Sequence, residues 1–164
     1  MANQRNLILT ICTGNICRSP IAEKLLQKAL SLEAEPLNLL EVVSAGVAAS
    51  YDIPASENSI SVLKNMQIDL TSHKSQPITE DLVQRSFAIF GMTRSHLDNL
   101  KYFYSDLPER VHLFREFMET NNDIEIPDPY GQNCAVYSKC LDSMSEAIPS
   151  LVAYLKKEYK RTIQ

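Results

Sequence analysis

Leu7-Ile8-Leu9-Thr10-Ile11-Cys12-Thr13-Gly14-Asn15-Ile16-Cys17-Arg18-Ser19-Pro20 opens as an apolar run and closes as a helix start. Leu7 to Cys12 reads as a buried strand. Ser19-Pro20 reads as an N-cap followed by proline at the first helical position. Between strand and helix lies a short loop that begins with Cys12 and has Arg18 six residues later. Such a loop, wrapped against a helix N-terminus, can aim several backbone N–H groups into one concavity that suits a tetrahedral oxyanion. Gly14 is expected to supply a backbone conformation that a side chain would forbid. Arg18 can hold two phosphate oxygens with its planar fork. The same positive field favours a thiolate nucleophile at Cys12. Ser19 can donate a hydrogen bond to that sulfur as well as cap the helix. Cys-x5-Arg alone arises by chance; the glycine, the Ser-Pro pair and the strand–loop–helix context make it specific.

Outward from this segment, short apolar runs alternate with helical patterns. Ile21, Leu25, Leu26, Ala29 and Leu30 continue the first helix as one apolar face. Leu40 to Ser44 is the second strand, ending at Ala45-Gly46. Ser56 to Met66 and Thr79 to Arg85 are predicted helices, the latter with Thr79 as cap and Glu80 and Asp81 in its first turn. Phe87 to Met92 is the third strand, and Thr93 caps a helix to about Tyr104. Val111 to Phe114 is the fourth strand. From about Ala135 a long amphipathic helix carries Val136, Cys140, Met144, Ala147, Ile148, Leu151 and Leu155, and Pro149 is expected to kink or interrupt it. The fold class that follows is α/β: a four-stranded parallel sheet covered by helices on both faces. Ligands of such sheets sit at the carboxyl ends of strands, and the first strand ends at Cys12.

The 164 residues are enough for one domain, spanning 1–164, and too few for two. A hydrophobic fraction of 45% supports one packed core. The net charge of −4 argues against a nucleic-acid partner, which requires a basic face. No apolar run approaches the ~20 residues that span a bilayer, and the start resembles no secretory signal, so no membrane partner is expected and the protein is placed in the cytoplasm. There the four cysteines, Cys12, Cys17, Cys134 and Cys140, are catalytic, redox-active or buried before they are structural disulfides. None forms a C-x-x-C pair, so no metal site is expected. No cofactor is implied.

The loop Cys12-Thr13-Gly14-Asn15-Ile16-Cys17-Arg18-Ser19-Pro20 resembles the signature of the low-molecular-weight protein tyrosine phosphatases at every fixed position. The resemblance extends to Ser44-Ala45-Gly46, Thr71-Ser72-His73, Gly91-Met92-Thr93 and Asp128-Pro129-Tyr130, nearly the whole length. It implies a single-domain four-stranded parallel sheet and hydrolysis of protein phosphotyrosine through a phosphocysteine. Cys12 would be the nucleophile, Arg18 the phosphate-binding residue and Asp128 the general acid. Two prolines bracket Asp128 in Ile126-Pro127-Asp128-Pro129-Tyr130-Gly131, a stiff turn suited to holding an acid at fixed reach.

The resemblance assigns substrate or phosphate contact to Thr13, Gly14, Asn15, Ile16, Cys17 and Ser19. It assigns support of the loop to Asn15, Ser19, Ser44 and His73. Tyr130 matches an aromatic wall of the cleft; Tyr51 is either the opposite wall or an exposed loop tyrosine. Cys17 matches a family cysteine that forms a reversible disulfide with the nucleophile, or simply packs against the first helix. Cys140 reads as core. His96 and His112 match nothing catalytic and read as structural or solvated.

The chain also departs from the pattern. The position of a second, regulatory tyrosine is Gly131, and the common aspartate after the third strand's methionine is Thr93. Ser44-Ala45-Gly46-Val47 resembles a bacterial branch that includes protein arginine phosphatases, where the position of Ile16 is threonine; isoleucine favours phosphotyrosine. Phosphoarginine is therefore the alternative substrate. A thioredoxin-coupled arsenate reductase is disfavoured because residues 72–100 contain no cysteine to relay a disulfide. A non-catalytic phosphate-binding module is expected to have lost the cysteine, arginine or acid, and all three are present.

Overall fold

All six residues of Leu7–Cys12 are buried, which marks this strand, β1, as interior on both faces. The computed structural model describes residues 5–119 and 123–163. The two ends of the expected 1–164 domain, with the first four residues, lie outside the described residues. After β1 come α1 (Arg18–Ser31), β2 (Glu41–Gly46), α2 (Glu57–Lys64), α3 (Glu80–Arg85), β3 (Ser86–Gly91), α4 (Arg94–Phe103), β4 (Arg110–Leu113) and α5 (Cys134–Ile163), with a short 3₁₀ turn at Leu37–Leu39. The strands form one parallel sheet in the order β2-β1-β3-β4, so the fold is a single α/β domain as expected.

Strand alternation divides the core. Ile8 and Cys12 face α1, α2 and α5, with Leu26, Leu63, Met144 and Leu151. Leu7, Leu9 and Ile11 face α3 and α4, with Val83, Leu97 and Leu100. Each fully buried Leu or Ile contributes about 1.5–3 kcal/mol, so β1 is anchored from both sides and its carboxyl end is held rigidly. The chain passes from β1 to β2 on one side and returns to β3 on the other. The β1 end therefore lies at a topological switch point, where the crevice of an open parallel sheet forms.

Three local expectations are corrected. α1 begins at Arg18, not after Ser19, and Cys17 occupies the cap position without a side-chain hydrogen bond. The hydroxyl of Ser19 is engaged elsewhere. Of the kink or interruption expected at Pro149, the interruption does not occur: α5 continues through it as one helix of 30 residues, about 45 Å. Tyr137, Cys140, Met144, Ala147, Leu151 and Leu155 bury one face of that helix from end to end. Packing of this face outweighs the single backbone hydrogen bond that proline forfeits. Finally, Gly14 has no positive φ; the left-handed residue of the loop is its neighbour Asn15, at φ 56°. Asparagine tolerates that region because its short side chain can bond locally.

Candidate active site

The loop from Cys12 to Arg18 is shaped by its carbonyls. The oxygen of Cys12 accepts from Val47 N–H (2.9 Å), that of Thr13 from Ala48 N–H (3.0 Å) and that of Ile16 from Ser56 N–H (2.9 Å). The Asn15 oxygen accepts from His73 Nε2 (2.7 Å) and the Cys17 oxygen from the Ser59 hydroxyl (3.4 Å). In a planar trans peptide the C=O and the following N–H point in opposite directions. Carbonyls pinned outward therefore turn the amides inward. Among the described residues, no hydrogen bond partners the backbone N–H groups of Thr13 to Cys17, and such a ring of free donors is an anion cradle.

Asn15 locks the turn. It is fully buried; its Nδ2 donates to Ser19 Oγ (2.8 Å) and its Oδ1 accepts from Gln76 N–H (3.0 Å). Ser19 Oγ also lies 3.0 Å from Cys12 Sγ. Once the sulfur is a thiolate, the serine O–H is the donor in that contact. Gly46 allows the loop to approach β2: a Cβ there would sit 2.4 Å from the Thr13 oxygen and 3.0 Å from the Asn15 nitrogen.

Arg18 is buried at the start of α1. Its Nη1 donates to the Ile126 carbonyl (2.9 Å), its Nη2 reaches Thr13 Oγ1 (3.4 Å), and Nη2 lies 3.6 Å from Asp128 Oδ2. Its Nε is buried with no hydrogen-bond partner. A buried donor left open is costly, so this edge of the guanidinium suits an oxyanion. The acid segment is held from below: Ile126 N–H donates to the Met92 carbonyl (2.9 Å), and Glu125 accepts from Arg94 N–H (2.7 Å) at the start of α4. Asp128 Oδ1 accepts from Tyr130 N–H (3.1 Å), which orients the carboxylate. Gly131, at φ 75°, takes the turn that follows, a conformation that any other residue would adopt only with strain.

Cys12, Thr13, Gly14, Ile16, Cys17, Arg18, Asp128 and Tyr130 line one cavity of about 240 Å³. A thiol, an arginine and a carboxylate thus face a space with room for a phosphoryl group and part of its leaving group. Cys17 is buried, its sulfur 3.1 Å from the Tyr137 hydroxyl and 3.5 Å from that of Ser56. Burial pushes its thiol up from the ordinary range.

Other expected residues are placed differently. Tyr51 is exposed and does not line the cavity. The Ser44 hydroxyl turns away from the loop and donates to Glu23; support comes through Gln76, which donates to the Ser44 carbonyl while its own N–H holds Asn15. Gln76, Ser56, Ser59 and Gly46 belong to the loop's surroundings and had no local signal of that role, since each acts through a contact distant in sequence. His112, between Glu116 and the Tyr154 hydroxyl, lies outside the cavity. His96, read as structural or solvated, is structural. It is buried and its Nε2 lies 3.0 Å from Thr13 Oγ1, against the loop itself.

Comparison with known proteins gives a consistent picture. The family described as Low molecular weight phosphotyrosine protein phosphatase matches residues 7–161. A protein-arginine-phosphatase of Bacillus subtilis (strain 168) is 32% identical over 151 residues, covering 92% of this chain and 97% of that protein. The low molecular weight protein-tyrosine-phosphatase Wzb of Escherichia coli (strain K12) is 36% identical over 137 residues, covering 81% and 86%. Among solved structures, the tyrosine phosphatase Wzb from Escherichia coli K30 in complex with sulphate superimposes with a TM-score of 0.80 at 30% identity. It covers 92% of this chain and 98% of that one.

Proposed function

The chain belongs to the low-molecular-weight phosphotyrosine protein phosphatases, and from that membership we propose that it hydrolyses protein phosphotyrosine through a phosphocysteine on Cys12. The thiolate attacks phosphorus as the ester P–O bond breaks, and Asp128 delivers its proton to the departing phenol oxygen. Water then attacks the phosphocysteine, giving up a proton to Asp128. Cys12 leaves as thiolate and inorganic phosphate is released. Arg18 and the loop amides hold the equatorial oxygens throughout. The observation that carries this reading is that Cys12, Arg18 and Asp128 line one cavity, beside a loop whose Cys12, Thr13, Asn15, Ile16 and Cys17 carbonyls are held by hydrogen bonds from neighbouring segments. The cytoplasm, which keeps thiols reduced, is the compartment this chemistry fits. Among the described residues no helix is long and apolar enough to cross a membrane.

Substrate preference turns on Ile16, which lines the cavity and also packs partly on the core. A branched apolar side chain can pack against a phenyl ring. It offers no partner to the guanidinium of phosphoarginine, which would lose water without recompense. Tyr130, exposed at the cavity mouth, adds a flat surface for an aromatic substrate. The second reading, phosphoarginine, is favoured by the similarity to the Bacillus protein named for that activity. Comparing kcat/KM on phosphotyrosine and phosphoarginine peptides decides between them. Wild type should prefer phosphotyrosine, and Ile16→Thr should move the ratio toward phosphoarginine. A wild type that prefers phosphoarginine would reverse the assignment; a swap that lowers only the melting temperature would make Ile16 a core residue.

Cys12 and Cys17 share the cavity, which supports reversible redox control. Peroxide would oxidise the Cys12 thiolate to a sulfenic acid, and the Cys17 thiol would condense with it, releasing water and forming a disulfide. Thiol reductant should restore activity in wild type but not in Cys17→Ala. Mass spectrometry of the oxidised protein without a Cys12–Cys17 bridge would refute the mechanism.

A further inference from the structure

We propose that His96, acting through Thr13, is a positioning residue for the arginine that binds phosphate; the inference rests on the phosphatase reading above. His96 stands in the first turn of α4, 3% exposed. Its Nδ1 accepts from Thr93 N–H (3.1 Å), and the Thr93 hydroxyl lies 3.2 Å from the same atom. A neutral imidazole whose Nδ1 accepts must carry its proton on Nε2. That Nε2–H donates to Thr13 Oγ1 (3.0 Å). The threonine oxygen also accepts from Arg18 Nη2 (3.4 Å). Both lone pairs of the hydroxyl are then taken, and its own O–H is left as a donor. Thr13 lines the cavity, so that donor is available to a phosphoryl oxygen.

The consequence for Arg18 is geometric. One end of its fork is tied to the Ile126 carbonyl and the other to Thr13, which leaves the edge bearing the unpartnered Nε–H to meet the ligand side-on. His96 fixes which way Thr13 is polarised, and Thr13 fixes where Nη2 sits. The charged groups that act on the imidazole are Arg18, Asp128 and Glu125. Burial and the Arg18 cation hold it at about 4, far below the ordinary range, so the neutral form is the one present near neutral pH. A protonated ring would turn a donor toward Thr93 N–H and lose the cap. Alanine at position 96 would leave Thr13 free to rotate and Nη2 with one tether fewer.

The test is a double-mutant cycle on binding of inorganic phosphate, followed by calorimetry, with kcat/KM on an aryl phosphate measured beside it. His96→Ala should weaken phosphate binding by about 10-fold, the scale of one charge-assisted hydrogen bond, and raise KM more than it lowers kcat. His96→Gln, whose amide N–H falls near the place of Nε2–H, should recover most of the loss. Thr13→Val, which also removes the hydroxyl offered to phosphate, should lose at least as much as His96→Ala, and the double variant should be no worse than Thr13→Val alone. Fully additive losses, no recovery with glutamine, or a lowered melting temperature with unchanged phosphate affinity would overturn the proposal. Thr13 is exposed at the surface of the loop, so unchanged affinity in Thr13→Val would overturn it even if His96→Ala did not fold. A wild-type protein that binds phosphate but hydrolyses no phosphomonoester would strike the phosphatase reading instead and leave the cycle measurable.

Discussion

Cys12→Ser is expected to abolish turnover while phosphate and vanadate still bind. The loss should be on the order of 10⁵-fold or more, the scale on which removal of a covalent nucleophile acts. The substitution exchanges one atom. The carbonyl contacts of the loop, the Asn15 lock and the Arg18 tethers involve other atoms and survive it. A serine at that place has only the Ser19 hydroxyl beside it, at the 3.0 Å now spanned to the sulfur, and a second hydroxyl is no base. Arg18→Ala should lose both binding and turnover. It removes the open Nε edge and also the donor to Ile126, two residues before Asp128. Substantial activity in the serine variant, measured as phosphate release with the thiol content verified, would end the assignment of Cys12.

Asp128→Ala carries the second large effect and a signature of its own. A removed general acid costs about 10²–10⁴-fold, but only where the leaving group needs the proton. Phenol is a poor leaving group and para-nitrophenol a good one. Hydrolysis of phenyl phosphate should therefore fall far more than hydrolysis of para-nitrophenyl phosphate. The carboxylate is suited to this work because one oxygen is held by Tyr130 N–H and the other, near Arg18, faces the cavity. Equal losses on both esters would assign the proton to another group.

Much of this was legible in the sequence because the relevant physics is local. Leu7 to Cys12 reads as a buried strand, and burial on both faces is what the sheet gives it. The Cys12 to Arg18 loop and the Asp128 turn are marked by residue types that have few other uses together. What escaped was set by long-range geometry. The amphipathic face of α5 overrides Pro149. The loop's left-handed position falls on Asn15, not Gly14, because Gln76 and Ser19 supply partners for its amide. Ser19-Pro20 has the pattern of a cap, yet the hydroxyl is drawn inward to Cys12 and α1 starts two residues earlier. Gly46 belongs to the site only because the Thr13 carbonyl crosses above it. His96 read only as structural or solvated, because nothing in its own segment shows that α4 begins against the loop, 83 residues from Thr13 in sequence.

The most direct measurement is rapid acid quenching of the enzyme during turnover of a phosphotyrosine peptide, followed by mass spectrometry of its own peptides. A phosphoryl group on the Cys12 sulfur, formed within the first turnover and decaying as inorganic phosphate appears, is the expected result. Turnover with no such adduct, or with the phosphoryl group on another residue, would contradict the account.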